Sequence, residues 1–112
     1  MADDCLFCAM VAGTVPHTTV WEGEAALAFA DINPQAPVHV LVVPKVHLPD
    51  VVALGADPEA GAALLDGIAA VARQERLTDF RTVFNTGAGV GQSVFHVHAH
   101  LLAGRSMGWP PG

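Results

Sequence analysis

Positive charge is scarce in this chain. Lys45, Arg73, Arg76, Arg81 and Arg105 face 11 acidic residues, and the formal net charge is −6. A protein that grips polymeric nucleic acid needs a cationic face for the phosphate backbone, so that partner is excluded. A single nucleotide, which a few backbone amides can hold, is not. Long apolar runs are also missing: none approaches the roughly 18 residues of a membrane span, so no membrane partner is expected. The opening MADDCLF is acidic where an export signal is basic, which points to the cytoplasm. Only two cysteines occur, Cys5 and Cys8. In a reducing compartment a close C-x-x-C reads as metal ligands, a redox pair, or a dithiol packed as small hydrophobes. Repeats, linkers and low-complexity segments are absent, and 112 residues make one domain. With 52% hydrophobic and 14% charged residues the chain is not disordered.

What is present is strand-rich. CLFCAMVA (5–12) predicts a short helix stopped at Gly13, with Pro16 beyond. TTVWEGEAALAFAD predicts two strands joined at Glu22-Gly23-Glu24, and INPQAP a loop. VHVLVVPK is a β-branched strand ended by Pro44. HLPDVVALGADP reads as irregular or as one short turn. The long helix starts at Asp57, an N-cap followed by Pro58 and Glu59, with Leu64, Ile68, Val71 and Ala72 at helical spacing and Arg73 and Arg76 near its end. FRTVFN is a strand, TGAGVGQS a glycine-rich loop, VFHVHAHLLA the last strand, and GRSMGWPPG an irregular tail. One long helix among short-linked strands implies an antiparallel α+β domain.

Three of the six histidines, His96, His98 and His100, occupy alternate positions of that last strand. Alternation puts the imidazoles on one face and Val97, Ala99 and Leu101 on the other. A solvent-facing strand explains one such histidine better than three. A metal centre is a second reading. Alternate strand positions lie about 6.5–7 Å apart, so two imidazoles converge on one ion more easily than three. Cys5, Cys8, His39 and His47 are further donors. The third reading is a nucleophilic imidazole, one nitrogen aimed at an electrophile and the other held. The upstream loop supports it: its backbone amides can turn to one concave point, with Gln92 and Ser93 as side-chain donors. The loop is not a dinucleotide fingerprint, because Gly87 and Gly89 are followed by Gln92 and then by a strand.

HVHAHLL resembles the His-φ-His-φ-His-φ-φ signature of the histidine-triad (HIT) superfamily, φ being apolar. LFCAMVAGTVP, ALAFADINPQAPVHVLVVPKVH, NTGAGVGQSVFHVHAHLLAGR and MGWPPG extend the likeness over nearly the whole chain. DINPQAPVHVLVVPK and WPPG are especially similar to the Hint branch, the histidine-triad nucleotide-binding proteins. The resemblance implies the HIT fold: a five-stranded antiparallel sheet, one long helix and a short N-terminal helix, with the sheet extended across a homodimer. It implies a single domain over 1–112 whose tail, 104–112, brings Trp109 to the partner's site.

The resemblance further implies a hydrolase of purine nucleoside 5′-phosphoramidates. His98 would attack the α-phosphorus and form a nucleotidyl-histidine that water opens, and His100 would contact phosphate oxygens. Asn85, Gly91, Gln92 and Ser93 would hold the phosphate, with Ser93 near the leaving amine and His39 lining the same site. Asp31 would take the ribose hydroxyls, and Phe7, Val15, Phe29 and Ile32 would wall the base of an AMP-type ligand. Read without the resemblance, Asp31 is a turn residue before Asn33-Pro34, His39 a satisfied buried histidine, and the four apolar residues core packing. Cys5, Cys8, His47 and His96 match the ligands of a structural Zn²⁺, with no cofactor required for the chemistry. Two other functions compete: a zinc-dependent hydrolase using metal-bound water, and a nucleotide-binding module with vestigial catalysis.

Overall fold

A computed structural model of the protein describes residues 4–112. The elements are α1 (Leu6–Val11), β1 (Thr19–Glu22), β2 (Ala26–Ala30), β3 (Val38–Pro44), α2 (Val51–Gly55), α3 (Pro58–Gln74), β4 (Phe80–Val83) and β5 (Ala99–Ala103). The five strands form one sheet in the order β1-β2-β3-β5-β4, and every neighbouring pair is antiparallel. The expected α+β architecture, with one long helix and a short N-terminal one, is what the chain adopts.

The long helix starts where its local chemistry dictates. Asp57 Oδ1 accepts the Ala60 N–H at 3.1 Å and Pro58 opens the first turn, while Glu59 sits at the positive end of the dipole. Leu64, Ile68 and Val71 form its buried stripe. Val40 and Val42 of β3, Ala28 of β2, and Val97, Ala99 and Leu101 meet that stripe in the larger core. The opposite sheet face carries a smaller core of Phe7, Leu27, Phe29, Leu41 and Val43. The central strand β3 is therefore buried on both faces, as its unbroken VHVLVVP run requires. Gly67 lets α3 lie close on the sheet, because a Cβ there would stand 2.9 Å from Val42 Cγ1.

Of the two readings of the segment after His47, irregular or one short turn, the turn is observed: it is the short helix α2, capped by Asp50 Oδ1, which accepts the Ala53 N–H at 3.0 Å. One expectation is corrected. The last strand is shorter than VFHVHAHLLA and begins only at Ala99. The reason is hydrogen-bond competition. The Val97 N–H donates to Leu48 O at 2.7 Å, and the His96 carbonyl accepts from the His98 ring at 2.9 Å, so neither joins the sheet ladder. Side-chain alternation survives, with Val97, Ala99 and Leu101 all buried against the larger core.

Candidate active site and metal centre

The smaller core is the floor of the histidine face. Register places His39 beside Leu102, and His100 between Leu41 and Val83. Phe7, carried by α1, meets His98 edge-on with ring centroids 5.0 Å apart, and lies 5.3 Å from Phe29 and 6.0 Å from His96. His98 and His100 are in contact, their centroids separated by 5.1 Å.

Hydrogen-bond partners determine which nitrogen of each neutral ring carries the proton. A carbonyl oxygen only accepts, so the His98 Nδ1–H donates to His96 O at 2.9 Å and leaves Nε2 as a bare lone pair. His39 Nδ1 accepts the Gln35 N–H at 3.0 Å, so its proton sits on Nε2. From there it reaches His100 Nδ1 at 2.9 Å, with Asp31 Oδ2 at 3.3 Å. His100 is left with a proton on Nε2, a donor for a nearby oxyanion. Burial lowers the His100 pKa below that of free imidazole, His98 and His39 lower it further, and Asp31 opposes them. Asp31, His39 and His100 are close enough to suggest a second metal cluster. The His39 Nε2 atom facing the other two carries a proton in the neutral ring, so the trio is a hydrogen-bond relay.

The glycine-rich loop holds itself. Gly87 and Gly91 adopt φ of 99° and 102°, left-handed values that favour glycine, around a 3₁₀ turn at Ala88–Val90. The expectation that its amides converge outward on an anion is corrected in part. Val90, Gly91 and Gln92 donate their N–H groups to carbonyls of Gly87 and Ala88, and the Gly87 N–H donates to Gln92 Oε1 at 2.8 Å. Gln92 is buried, and its Nε2 donates to Pro49 O at 2.8 Å and Val94 O at 3.2 Å. Its side chain braces the loop and is not a spare donor for phosphate. The exposed Ser93 follows directly, lining a cleft of about 400 Å³ with Cys5, His47 and Phe95.

The remaining residues named from the sequence are spread around this face. Asp31 Oδ1 accepts the Asn33 N–H at 2.8 Å, the turn role expected of it, while its other oxygen approaches His39. Phe7 and Phe29 are core residues as well as neighbours of the histidines, whereas Ile32 is 98% exposed and packs in no core. Val15 and Asn85 are half-buried, and Trp109 is 82% exposed. Sequence reasoning gave no role to His17, whose Nδ1–H donates to Val15 O at 3.0 Å and whose ring lies 5.9 Å from Phe29. Its one signal was position, between Val15 and the β1 strand.

Cys5, Cys8, His47 and His96 form a four-donor cluster whose ligand atoms all lie within 4.8 Å of one another. Cys5 caps α1, its Sγ accepting the Cys8 N–H at 3.4 Å, so the helix start itself pairs the sulfurs. His96 Nδ1 is 3.4 Å from both sulfurs, and His47 Nδ1 is 3.3 Å from Cys8 Sγ. Tetrahedral zinc bonds of about 2.3 Å to sulfur and about 2.0–2.1 Å to nitrogen give an S···N edge near 3.5 Å, so the donors fit. The His96 Nε2–H donates to Pro44 O at 2.8 Å, which turns the Nδ1 lone pair toward the thiols. Burial also pushes the His96 pKa down, favouring the neutral ligand form. Burial and the adjacent Cys5 push the Cys8 thiol up to about 11, so without a cation it keeps its proton.

The sequence pattern of the HIT domain matches residues 12–107. The chain belongs to the HIT family. A crystal structure of a HIT family hydrolase from Legionella pneumophila Philadelphia 1 superimposes with a TM-score of 0.90 at 45% identity, covering 96% of this chain and 99% of that one. An uncharacterized HIT-like protein of Synechococcus elongatus is 45% identical over the full length of both chains. A 14 kDa zinc-binding protein of Zea mays is 44% identical, over 96% of this chain and 87% of its own. The HIT fold expected from the sequence is thus shared with solved structures of HIT family hydrolases.

Proposed function

We propose that this HIT protein hydrolyses purine nucleoside 5′-phosphoramidates through a nucleotidyl-His98 intermediate. The observation that carries the reading is the His98 Nδ1–H bond to His96 O at 2.9 Å, which leaves Nε2 unprotonated for attack. The His98 Nε2 bonds to phosphorus as the P–N bond breaks, and the amine departs once its nitrogen has gained a proton. Water then attacks the same phosphorus, freeing the nucleoside monophosphate and the imidazole. His100, proton on Nε2 and backed by His39, faces the growing charge, with Ser93 and Asn85 beside the phosphate and amine. Asp31 takes the ribose hydroxyls; Phe7, Phe29, Val15 and the exposed Ile32 offer apolar surface to the base. The exposed tail, pinned where Arg81 Nη1 donates to Gly108 O at 3.1 Å, carries Trp109 to the site of a second copy in a homodimer.

Cys5, Cys8, His47 and His96 hold zinc in this reading. Zinc supplies a tie between α1, the segment after β3 and the histidine segment, and no Lewis-acid role. The test is AMP release from adenosine 5′-phosphoramidate by the parent, by His98→Ala, and by chelator-treated protein. Turnover falls on the order of 10³-fold or more in His98→Ala, while folded, chelated protein still turns over. Activity that vanishes on chelation with the fold intact would replace this reading by a metal-water hydrolase. A folded parent that binds AMP without turnover would leave a binding module.

A further inference from the structure

Of the six histidines, His17 alone has no part in the metal cluster, the hydrogen-bond relay or the attack on phosphorus. Its place is set by the chain around it. Val15 precedes Pro16, which favours extended backbone. Thr18 O accepts the Ala30 N–H at 2.9 Å, tying the segment to the end of β2. The His17 ring then meets Phe29 edge-on, with centroids 5.9 Å apart and planes at 67°. Phe29 belongs to the smaller core, the floor of the histidine face, so His17 stands on that face.

Register relates this position to the chemistry. Phe29 pairs with Leu41, and Leu41 with His100. Two strand spacings, about 9.5 Å, therefore separate Phe29 from His100. A ribose bridges most of that interval between a phosphate and its base. A nucleotide with its phosphate at His98 and His100 and its ribose at Asp31 thus lays its base near Phe29 and His17. The β1 edge beside His17 is the far end of the sheet from β4, so a second copy packed along β4 leaves this corner uncovered.

The hydrogen bonding of the ring says what it can read. Val15 O only accepts, so the neutral ring carries its proton on Nδ1 and donates it at 3.0 Å. Nε2 is left as a lone pair with no hydrogen-bond partner among the described residues, on a ring that is only half-buried. A carbonyl edge of a base meets that lone pair with repulsion, whereas an amino group meets it with an N–H. We propose that His17 is a specificity-determining residue of the nucleotide site, its Nε2 accepting a hydrogen bond from an exocyclic amino group of the purine, at C6 in adenine or C2 in guanine. The inference rests on the reading of the histidine face as a purine nucleotide site. Phe7, Phe29 and Val15 offer apolar surface to any base, and His17 adds a polar contact by which bases differ.

The test compares nucleotides that differ by one amino group: AMP with purine riboside 5′-monophosphate, and GMP with IMP. Dissociation constants are measured by calorimetry at pH 8, where free imidazole is neutral, for the full-length parent, His17→Ala and His17→Phe. His17→Phe keeps a ring against Phe29 and removes the lone pair. Values of kcat/KM for the corresponding 5′-phosphoramidates are read alongside. The parent is expected to prefer the amino-bearing member of one pair about tenfold, and both variants to lose that preference. The pair that shows the effect identifies adenine or guanine as the base. Equal preference in parent and variants overturns the proposal. So does affinity for both members of a pair that falls together in His17→Ala and returns in His17→Phe, which would make His17 a packing residue. Amino preference in binding without any turnover would remove the hydrolase reading and leave this one standing, and turnover without amino preference would do the reverse. A parent that binds none of the four nucleotides overturns both.

Discussion

Gln92 shows how one buried amide can organise a glycine-rich loop. Its three side-chain hydrogen bonds hold Gly87 and Val94 of its own loop and tie that loop to Pro49, which precedes α2. Gln92→Ala leaves those groups unpaired and is expected to cost about 1–3 kcal/mol of stability, read by urea unfolding. If it acts only by bracing the loop, kcat/KM for the phosphoramidate falls while the pH profile keeps its shape. His100 gives a second prediction at this scale. Its folded pKa lies below the ordinary 6.5, chiefly through burial. Below 6.5 the unfolded chain therefore binds a proton that the folded one refuses, so stability declines as pH falls through 6.5 toward the folded value and is flat above it. Urea midpoints measured from pH 8 to pH 5 should show that decline, and His100→Asn should reduce its slope. An unchanged slope in the variant would assign the acid sensitivity elsewhere.

Among the elements, α3 and its seat on the sheet set the spacing of the larger core. The Asp57 cap is a local device, so Asp57→Ala should cost about 1 kcal/mol. Gly67 is a tertiary one. Alanine there favours the helix by about 1 kcal/mol, yet its Cβ would lie 2.9 Å from the Val42 methyl and 3.1 Å from the Trp21 ring. Val42 is fully buried on the central strand and has little room to yield, so the overlap offsets the propensity. Gly67→Val, which adds bulk and β-branching, should cost about 1–3 kcal/mol. Equal urea midpoints for Gly67→Val and the parent would mean that α3 can lift off the sheet freely. Both helix cap and stripe were legible in the sequence, because they depend on residues within a few positions. The α2 helix was legible only as one of two readings, irregular or a short turn, because it is a five-residue segment whose single buried side chain, Leu54, provides no periodicity.

For the whole molecule, the Cys5–Cys8–His47–His96 cluster ties three stretches distant in sequence, and its state bears on global stability. Zinc at 100 times its dissociation constant should add about 2.7 kcal/mol, read as a rise in Tm that chelation reverses. Because the Cys8 thiol is pushed up to about 11, zinc binding at pH 8 should also release a proton from it. Calorimetry in buffers of different ionisation enthalpy measures that release, and zinc uptake without it would remove Cys8 from the ligand set. The alternation of His96, His98 and His100, the strand order of apolar runs and the Cys5–Cys8 spacing were readable in the chain because each is a periodicity or a short-range pattern. They determined the fold class and singled out the candidate site residues. Where the histidine segment leaves the sheet ladder, and whether Gln92 faces phosphate or its own loop, depended on partners tens of residues away: Leu48 O diverts Val97 from the ladder and Pro49 O claims Gln92. Hydrogen bonds between segments distant in sequence leave no periodic trace, so only the tertiary structure decided them.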